Sequence, residues 1–346
     1  LMFSATFAGN VGNLARTLRY QDALDLAGGT LQAALDSLLA DPAARAAASF
    51  SYAAYDAEGR KSFDIDAQGH LTQYEYDAFG GMVRSTQFDV ALAGWNSSAA
   101  FDGVIPAAIA AAGGRTQVAS YDAAGRVSAR VDGSGNVTRY TYDALGRVTG
   151  TMQYAQALSA AGIGQTGALL AAELELLYAD SAAKLATDPG AIRAQALSYD
   201  AEGRVRFSVD GEGFITEVAY DAYGQAIATH RHAQPLSNWP QTGGFDGALP
   251  STIDPADARV TRAAYDANGR VTVAVDALGY ATTFEYDAQG NTVRTVRYDQ
   301  PVTGFDGTLP SSVLASGQRV NSAIYDDLGR MSASVDALGH ATRYTY

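Results

Sequence analysis

Four histidines and a large set of carboxylates are the groups in this chain whose types suit acid–base or metal chemistry; Asp and Glu number 37 and Cys is absent. His230 and His232 stand two apart, which on a strand places both rings on one face, as two nitrogen ligands of a metal would require. No third ligand is evident from spacing, so packing or solvent exposure is the better reading. Asp132-Gly-Ser-Gly-Asn136 resembles a calcium loop superficially, but it lacks the alternating ligands and closing glutamate of an EF-hand. Ser and Thr have no partnered His in a recognisable nucleophile arrangement, and no nucleotide-binding glycine pattern occurs. Trp95 and Trp239 are the remaining candidates: an exposed indole can stack on a sugar or anchor a partner, and it can equally staple a loop to the fold. No catalytic, cofactor-binding or metal-binding residue is assigned.

The elements around these residues are set by an internal repeat. Tyr-Asp-x-x-Gly opens at Tyr55 and Tyr76, Tyr121 and Tyr142, Tyr199 and Tyr220, and Tyr265 and Tyr286, always 21 residues apart, and again at Tyr325 with Tyr346 in its partner's register. A further Asp-x-x-Gly lies inside each pair, as at Asp132. Between turns, residues alternate: Val127, Ala129 and Val131 share one face and Arg126, Ser128 and Arg130 the other, while Thr138, Tyr140 and Tyr142 share a side. Short alternating runs separated by turn residues predict an all-β antiparallel meander. In each turn the carboxylate, as at Asp56 and Asp122, is placed to accept backbone N–H groups ahead of it. Gly59, Gly125, Gly203, Gly269 and Gly329 are expected to take positive φ. The paired tyrosines are expected to bury large ring area, and each Arg after a turn Gly to pair with a nearby Asp.

The repeats make one continuous array over 1–346, with blocks 55–120, 121–198, 199–264 and 265–324 and partial blocks 1–54 and 325–346. Ala8–Gly12 through Tyr20 reads as a worn copy of 286–298. Both ends fall inside repeat units, so the chain is expected to be a segment of a longer protein. Twelve residues after each second Tyr stands Phe88, Tyr154, His232 or Tyr298. Inserts follow, at about 21–48, 89–115, 155–193, 233–257 and 299–317. Three carry Phe-Asp-Gly-x-Leu/Ile-Pro, at 101–106, 245–250 and 305–310. In 155–193 an apolar stripe of Leu169, Leu170, Leu174, Leu177 and Tyr178 predicts a helix stopped by Asp188-Pro189-Gly190. Inserts in repeat arrays project from one face or end, the usual place of binding.

Composition narrows the partners. Net charge is −13 and lysine occurs only at Lys61 and Lys184, which disfavours a phosphate-tracking nucleic-acid surface. No apolar run reaches the ~18 residues of a membrane-spanning helix.

Tyr-Asp-x-x-Gly-Arg at Tyr55, Tyr121, Tyr199, Tyr265 and Tyr325, with continuations such as Gly135-Asn-Val-Thr-Arg-Tyr-Thr-Tyr-Asp143, resembles the RHS, or YD, repeat family. The resemblance spans nearly the whole chain apart from the inserts. It implies a long β-sheet spiralling into a hollow shell, which in bacterial insecticidal and polymorphic toxins encloses a C-terminal toxic polypeptide and in teneurins serves adhesion. It therefore implies a non-catalytic, secreted or cell-surface segment whose partner is a C-terminal polypeptide of the same parent chain; the alternative is a module binding a glycan or another surface protein through its inserts. The inserts are longer than the family's short turns, and the family's shell-closing, autoproteolytic segment has no counterpart here, so no catalytic residue is carried over.

Overall fold

The computed structural model describes residues 16–19, 30, 32, 36–37, 40–41, 43, 49–96, 101–237, 239 and 245–346. The worn copy before Tyr20 and the first insert thus lie largely outside the described residues. The chain divides into two compact units, Leu1–Thr141 with Met152–Ile192, and Tyr142–Thr151 with Arg193–Tyr346.

Both units are built from short strands, each antiparallel to the next in sequence. The first unit runs Arg16–Arg19, Ser49–Tyr55, Lys61–Ile65, Leu71–Tyr76, Met82–Phe88, Gly114–Tyr121, Val127–Val131 and Val137–Tyr142. The second begins Ile192–Tyr199, Val205–Val209, Phe214–Tyr220 and Ala226–Pro235, repeats that set from Arg259 to Pro301, and ends with Gln318–Tyr325, Met331–Val335 and Ala341–Arg343. The all-β antiparallel expectation is what the strands form. Beside the turn tyrosines the register slips: Ala54 faces Phe63 but Tyr55 faces Lys61, and Glu75 faces Arg84 but Tyr76 faces Met82. The extra residue on the strand leaving the turn is a bulge, which adds local twist where each strand reverses.

Alternation sends one set of side chains into a core. Val118, Ala129, Val131 and Val137 are buried, and their cluster is completed by Leu158, Leu170, Leu174 and Leu177 from the insert. Ile65, Leu71 and Phe88 are likewise closed over by Ile109 with Trp95, Phe101 and Ile105. Phe207, Val209 and Ile215 lie with Ile253, Trp239 and Phe245, and Val275, Val296 and Tyr298 with Val313 and Phe305. The inserts therefore lie down on the apolar face and supply half of each small core, where the sequence suggested projecting loops.

The helix of the third insert spans Gly167–Lys184. Leu170, Leu174 and Leu177 face the sheet as the stripe predicts, and Tyr178 stacks on Tyr154 with ring centroids 4.9 Å apart. Leu169, counted in the stripe, is 65% exposed. The buried face instead continues one turn beyond Leu177 to Ser181, which completes the i, i+3, i+4 pattern. The helix ends before Asp188, whose carboxylate instead closes the following turn by accepting Gly190 N–H at 2.9 Å.

Two glycines of one block separate two roles. Gly125 has φ 77° and open space around it, whereas Gly135 has φ 85° and abuts the Leu158 carbonyl. Gly135 O also accepts Leu158 N–H at 2.7 Å, seating the insert on the turn. Gly125→Ala should cost about 1–2 kcal/mol through backbone strain alone. Gly135→Ala should cost more, because the insert must also lift. Urea midpoints of the two variants measure the difference, and equal losses would contradict insert seating at Gly135.

Candidate functional site: turn carboxylates, insert anchors and a buried histidine

Each turn is closed by its aspartate. In the turn at Asp122, Gly125 N–H donates to Asp122 O at 2.9 Å and Asp122 N–H to Arg126 O at 2.8 Å. Asp122 Oδ1 then accepts both Ala124 and Arg126 N–H at 2.9 Å, leaving Oδ2 for the Arg126 guanidinium at 2.8 Å. The same arrangement holds at Asp56, Asp143, Asp200, Asp266 and Asp326 with Arg60, Arg147, Arg204, Arg270 and Arg330. These carboxylates are saturated by their own turn, so they are unsuited to act as general acids or bases.

The arginines are shared with the paired tyrosines. Arg60, Arg204, Arg270 and Arg330 lie 4.6–4.7 Å from the ring centroids of Tyr76, Tyr220, Tyr286 and Tyr346, a cation–π contact. The hydroxyls of those tyrosines donate to the carbonyls of Lys61, Val205, Val271 and Met331 at 2.8–3.0 Å. The first tyrosines of the pairs reach further back: Tyr121 donates to Met82 O, Tyr199 to Val148 O and Tyr265 to Ala226 O. Apart from the exposed Tyr346, the rings are half-buried rather than core residues. Their work is tying neighbouring strands together, which the high ring area expected from sequence did not convey.

Within each pair, the middle turn shows what the repeat demands. Its second carboxylate oxygen receives the Asn136 amide at 2.9 Å, or the ring Nδ1 of His70 at 3.2 Å and of His340 at 3.0 Å. Where Phe214 and Tyr280 replace these donors, Arg231 and Arg297 reach across from a neighbouring strand to Asp210 and Asp276, at 2.7 and 3.1 Å. The blocks with their own donor carry Gln87 and Gln153 in that register. One oxygen thus needs one donor, from either side. His70 and His340 are turn donors, and Asp132 spends its carboxylate on Asn136 and the turn backbone.

The tryptophans are insert anchors. Trp95 Nε1 donates to Asp66 O at 3.1 Å, and its ring lies 5.8 and 5.9 Å from those of Phe50 and Tyr52. Trp239 packs against Gly213 and within the Phe207–Ile215 cluster, its Nε1 buried with no hydrogen-bond partner. In the Phe-Asp-Gly motifs, Phe101 and Phe245 meet Phe63 and Phe207 edge-on at 5.1 and 5.6 Å. Asp102, Asp246 and Asp306 cap the next turn through Val104, Ala248 and Thr308 N–H. Three residues past each motif's proline stand Ile109, Ile253 and Val313, all buried. That apolar third residue was the unread part of the motif.

His232 is 1% exposed, with neither ring nitrogen hydrogen-bonded, and Glu217 Oε2 lies 3.9 Å from Nε2. His230 pairs in register with Glu217. Among the described residues no group of three or more His, Cys, Asp or Glu side chains is placed to hold a metal ion, and no helix is long and apolar enough to cross a membrane.

The Arg126 side chain and then its backbone N–H hold the Asp122 carboxyl below the usual carboxylate range. At Asp266 the backbone N–H of Arg270 leads, followed by its guanidinium; at Asp132 the Asn136 amide leads. Lowered folded-state values mean that the stabilisation is complete above the ordinary carboxyl pKa of about 3.9 and is lost as pH falls through the folded values. Urea midpoints should therefore drop below about pH 4. Asp122→Asn keeps the Oδ1 acceptor but loses the ion pair, so it should lower stability at pH 7 and flatten the acid-dependent fall.

The RHS Repeat family model matches residues 121–157 and 265–300, each running from a first turn tyrosine through the middle turn to the start of an insert. No curated protein matches the sequence. Among solved structures, the Photorhabdus luminescens Tc holotoxin pore is similar over 83% of this chain and 11% of its own, at 14% identity and a TM-score of 0.49. The crystal structure of TcdB2-TccC3-Cdc42 is similar over 99% of this chain and 15% of its own, at 17% identity and a TM-score of 0.47. That of TcdB2-TccC3 is similar over 99% and 18%, at 15% identity and a TM-score of 0.44. The chain thus spans less than a fifth of each, and at these scores the likenesses add no weight of their own. The two matched segments are RHS repeats, and their turn, tyrosine and insert registers recur through the other described blocks of the chain.

Proposed function

We propose that this chain is a non-catalytic wall segment of an exported or cell-surface protein, enclosing or presenting a polypeptide that belongs to the same parent chain. The observation that carries this reading is the division between the two faces of the sheet. One face is sealed by inserts. The other presents polar and aromatic side chains: Arg130 pairs in register with Ala119 and Thr138, and with Gln117 and Tyr140 they line a concavity of about 550 Å³. In the second unit Gln195, Ser208, Thr216 and Arg231 line an equivalent concavity of about 300 Å³ in the same register. Mixed donors and acceptors on a rigid sheet suit contact with many polypeptide sequences, and no nucleophile or acid–base set accompanies them.

The turn chemistry fits this role. The described turn carboxylates accept backbone N–H groups of their own turns, and the acidic surface, with net charge −13, favours solubility of an extensive sheet. The adhesion alternative, with a glycan or surface protein held by Trp95 and Trp239, draws no support from geometry that packs both indoles into insert cores. Native proteolysis of the full-length parent, read by mass spectrometry, tests the enclosure. The expected result is a downstream polypeptide that resists cleavage until the repeats are denatured. Free cleavage of everything downstream while the repeats persist would overturn the reading.

A further inference from the structure

We propose that the third block, 199–264, is an acid-sensitive joint in the array, weakened by protonation of His232. Phe88, Tyr154 and Tyr298 fill this register in the other blocks and are buried among apolar side chains. His232 is buried to the same degree but is an ionisable ring with two unpartnered nitrogens. An imidazole so placed is accommodated when neutral. Its protonated form would bury two N–H donors and a charge with no acceptor within hydrogen-bond distance.

The surrounding charges do not rescue the protonated form. Glu217, on the adjoining strand, is the facing carboxylate; its Oε2 is 3.9 Å from His232 Nε2, beyond hydrogen-bond distance. Its Oε1 already lies 3.4 Å from the Arg206 guanidinium. His230, two residues away on the same strand, opposes Glu217 directly in register. On the insert side the clustered residues are Leu236, Trp239, Phe245, Leu249 and Ile253, none titratable. The insert carboxylates Asp246 and Asp254 are exposed and accept N–H groups in their own turns.

Burial pushes the His232 imidazole below its ordinary value of 6.5, against the smaller opposing pull of Glu217. A lowered value means that folding of this block is unaffected above about pH 6.5 and loses stability as pH falls from there through the folded value. One proton taken up only on opening corresponds to about tenfold in the opening equilibrium per pH unit. This window lies above the one in which the turn aspartates titrate, so the two effects separate. The inference rests on local geometry and stands whether or not the sheet encloses a cargo.

The test is hydrogen–deuterium exchange of the whole chain at pH 7.5 and 5.5, corrected for intrinsic rates, comparing strand Ala226–Pro235 with its counterpart Thr292–Pro301. The expected result is an up to tenfold loss of protection in the first strand relative to the second at pH 5.5, abolished by His232→Tyr. Equal protection at both pH values, or a loss that persists in His232→Tyr, would overturn the proposal. Should that variant fail to fold, NMR titration of the His232 ring in the native chain decides: a midpoint below 6.5 coincident with the loss of protection is expected, and a midpoint at or above 6.5 in the folded protein contradicts it.

Discussion

A carboxylate that accepts two backbone N–H groups from the residues just ahead, and a donor side chain on its second oxygen, is the constraint on which this structure depends. Strands of three to ten residues reverse direction at nearly every turn in the same way, so the array is only as regular as that closure. The recurring Gly follows from it, because the reversal passes through a left-handed backbone that disfavours a Cβ. So does the recurring Arg, which neutralises the carboxylate and lies against a tyrosine. The substitutions at the middle turns show the strength of the demand. Asn136, His70 and His340 supply a donor from within the turn, and Arg231 and Arg297 supply it from a neighbouring strand where an aromatic residue has displaced the local donor.

The second level is the pairing of each four-strand block with its insert. A single sheet face of valine, isoleucine and leucine cannot be left open to water, and here each block closes its own with the segment that leads to the next. Stability is then divided among small local cores rather than pooled in one, as in other repeat arrays. That division allows a single block to differ from its neighbours in a property such as acid sensitivity without disturbing the rest. It also leaves the opposite face free of insert packing, which makes the sheet a two-sided surface with unlike sides.

How much of this was legible depended on the range of the interaction. Turn closure is local, within five residues, so Asp122, Gly125 and Arg126 declared their roles through spacing. The strands were legible from alternation, and the helix at 167–184 from its Leu periodicity. The roles of Tyr121 and Tyr199 were not, since their hydroxyls bond to carbonyls 39 and 51 residues back in sequence. For the same reason the inserts read as projecting loops: Phe101 on Phe63 and Phe245 on Phe207 are contacts between segments with no periodic relation. The burial of His232 was visible only as a register shared with Phe88, Tyr154 and Tyr298. Spacing placed His230 and His232 on one face, but it could not say that Glu217 stands opposite them or that one ring lies sealed from water.

In the proposed function, these levels combine: turn carboxylates committed to holding strands, an apolar face closed by the chain's own inserts and a remaining face that is polar and grooved would suit a wall that bounds a space. The most direct measurement is site-specific photo-crosslinking in the full-length parent, with the reactive group placed either at Thr138 on the uncovered face or at Leu176 on the exposed side of the insert helix. Crosslinks to downstream residues of the same chain from position 138 and not from 176 are predicted. Equal capture from both positions, or capture from 176 alone, would contradict the assignment of the uncovered face to an enclosed polypeptide.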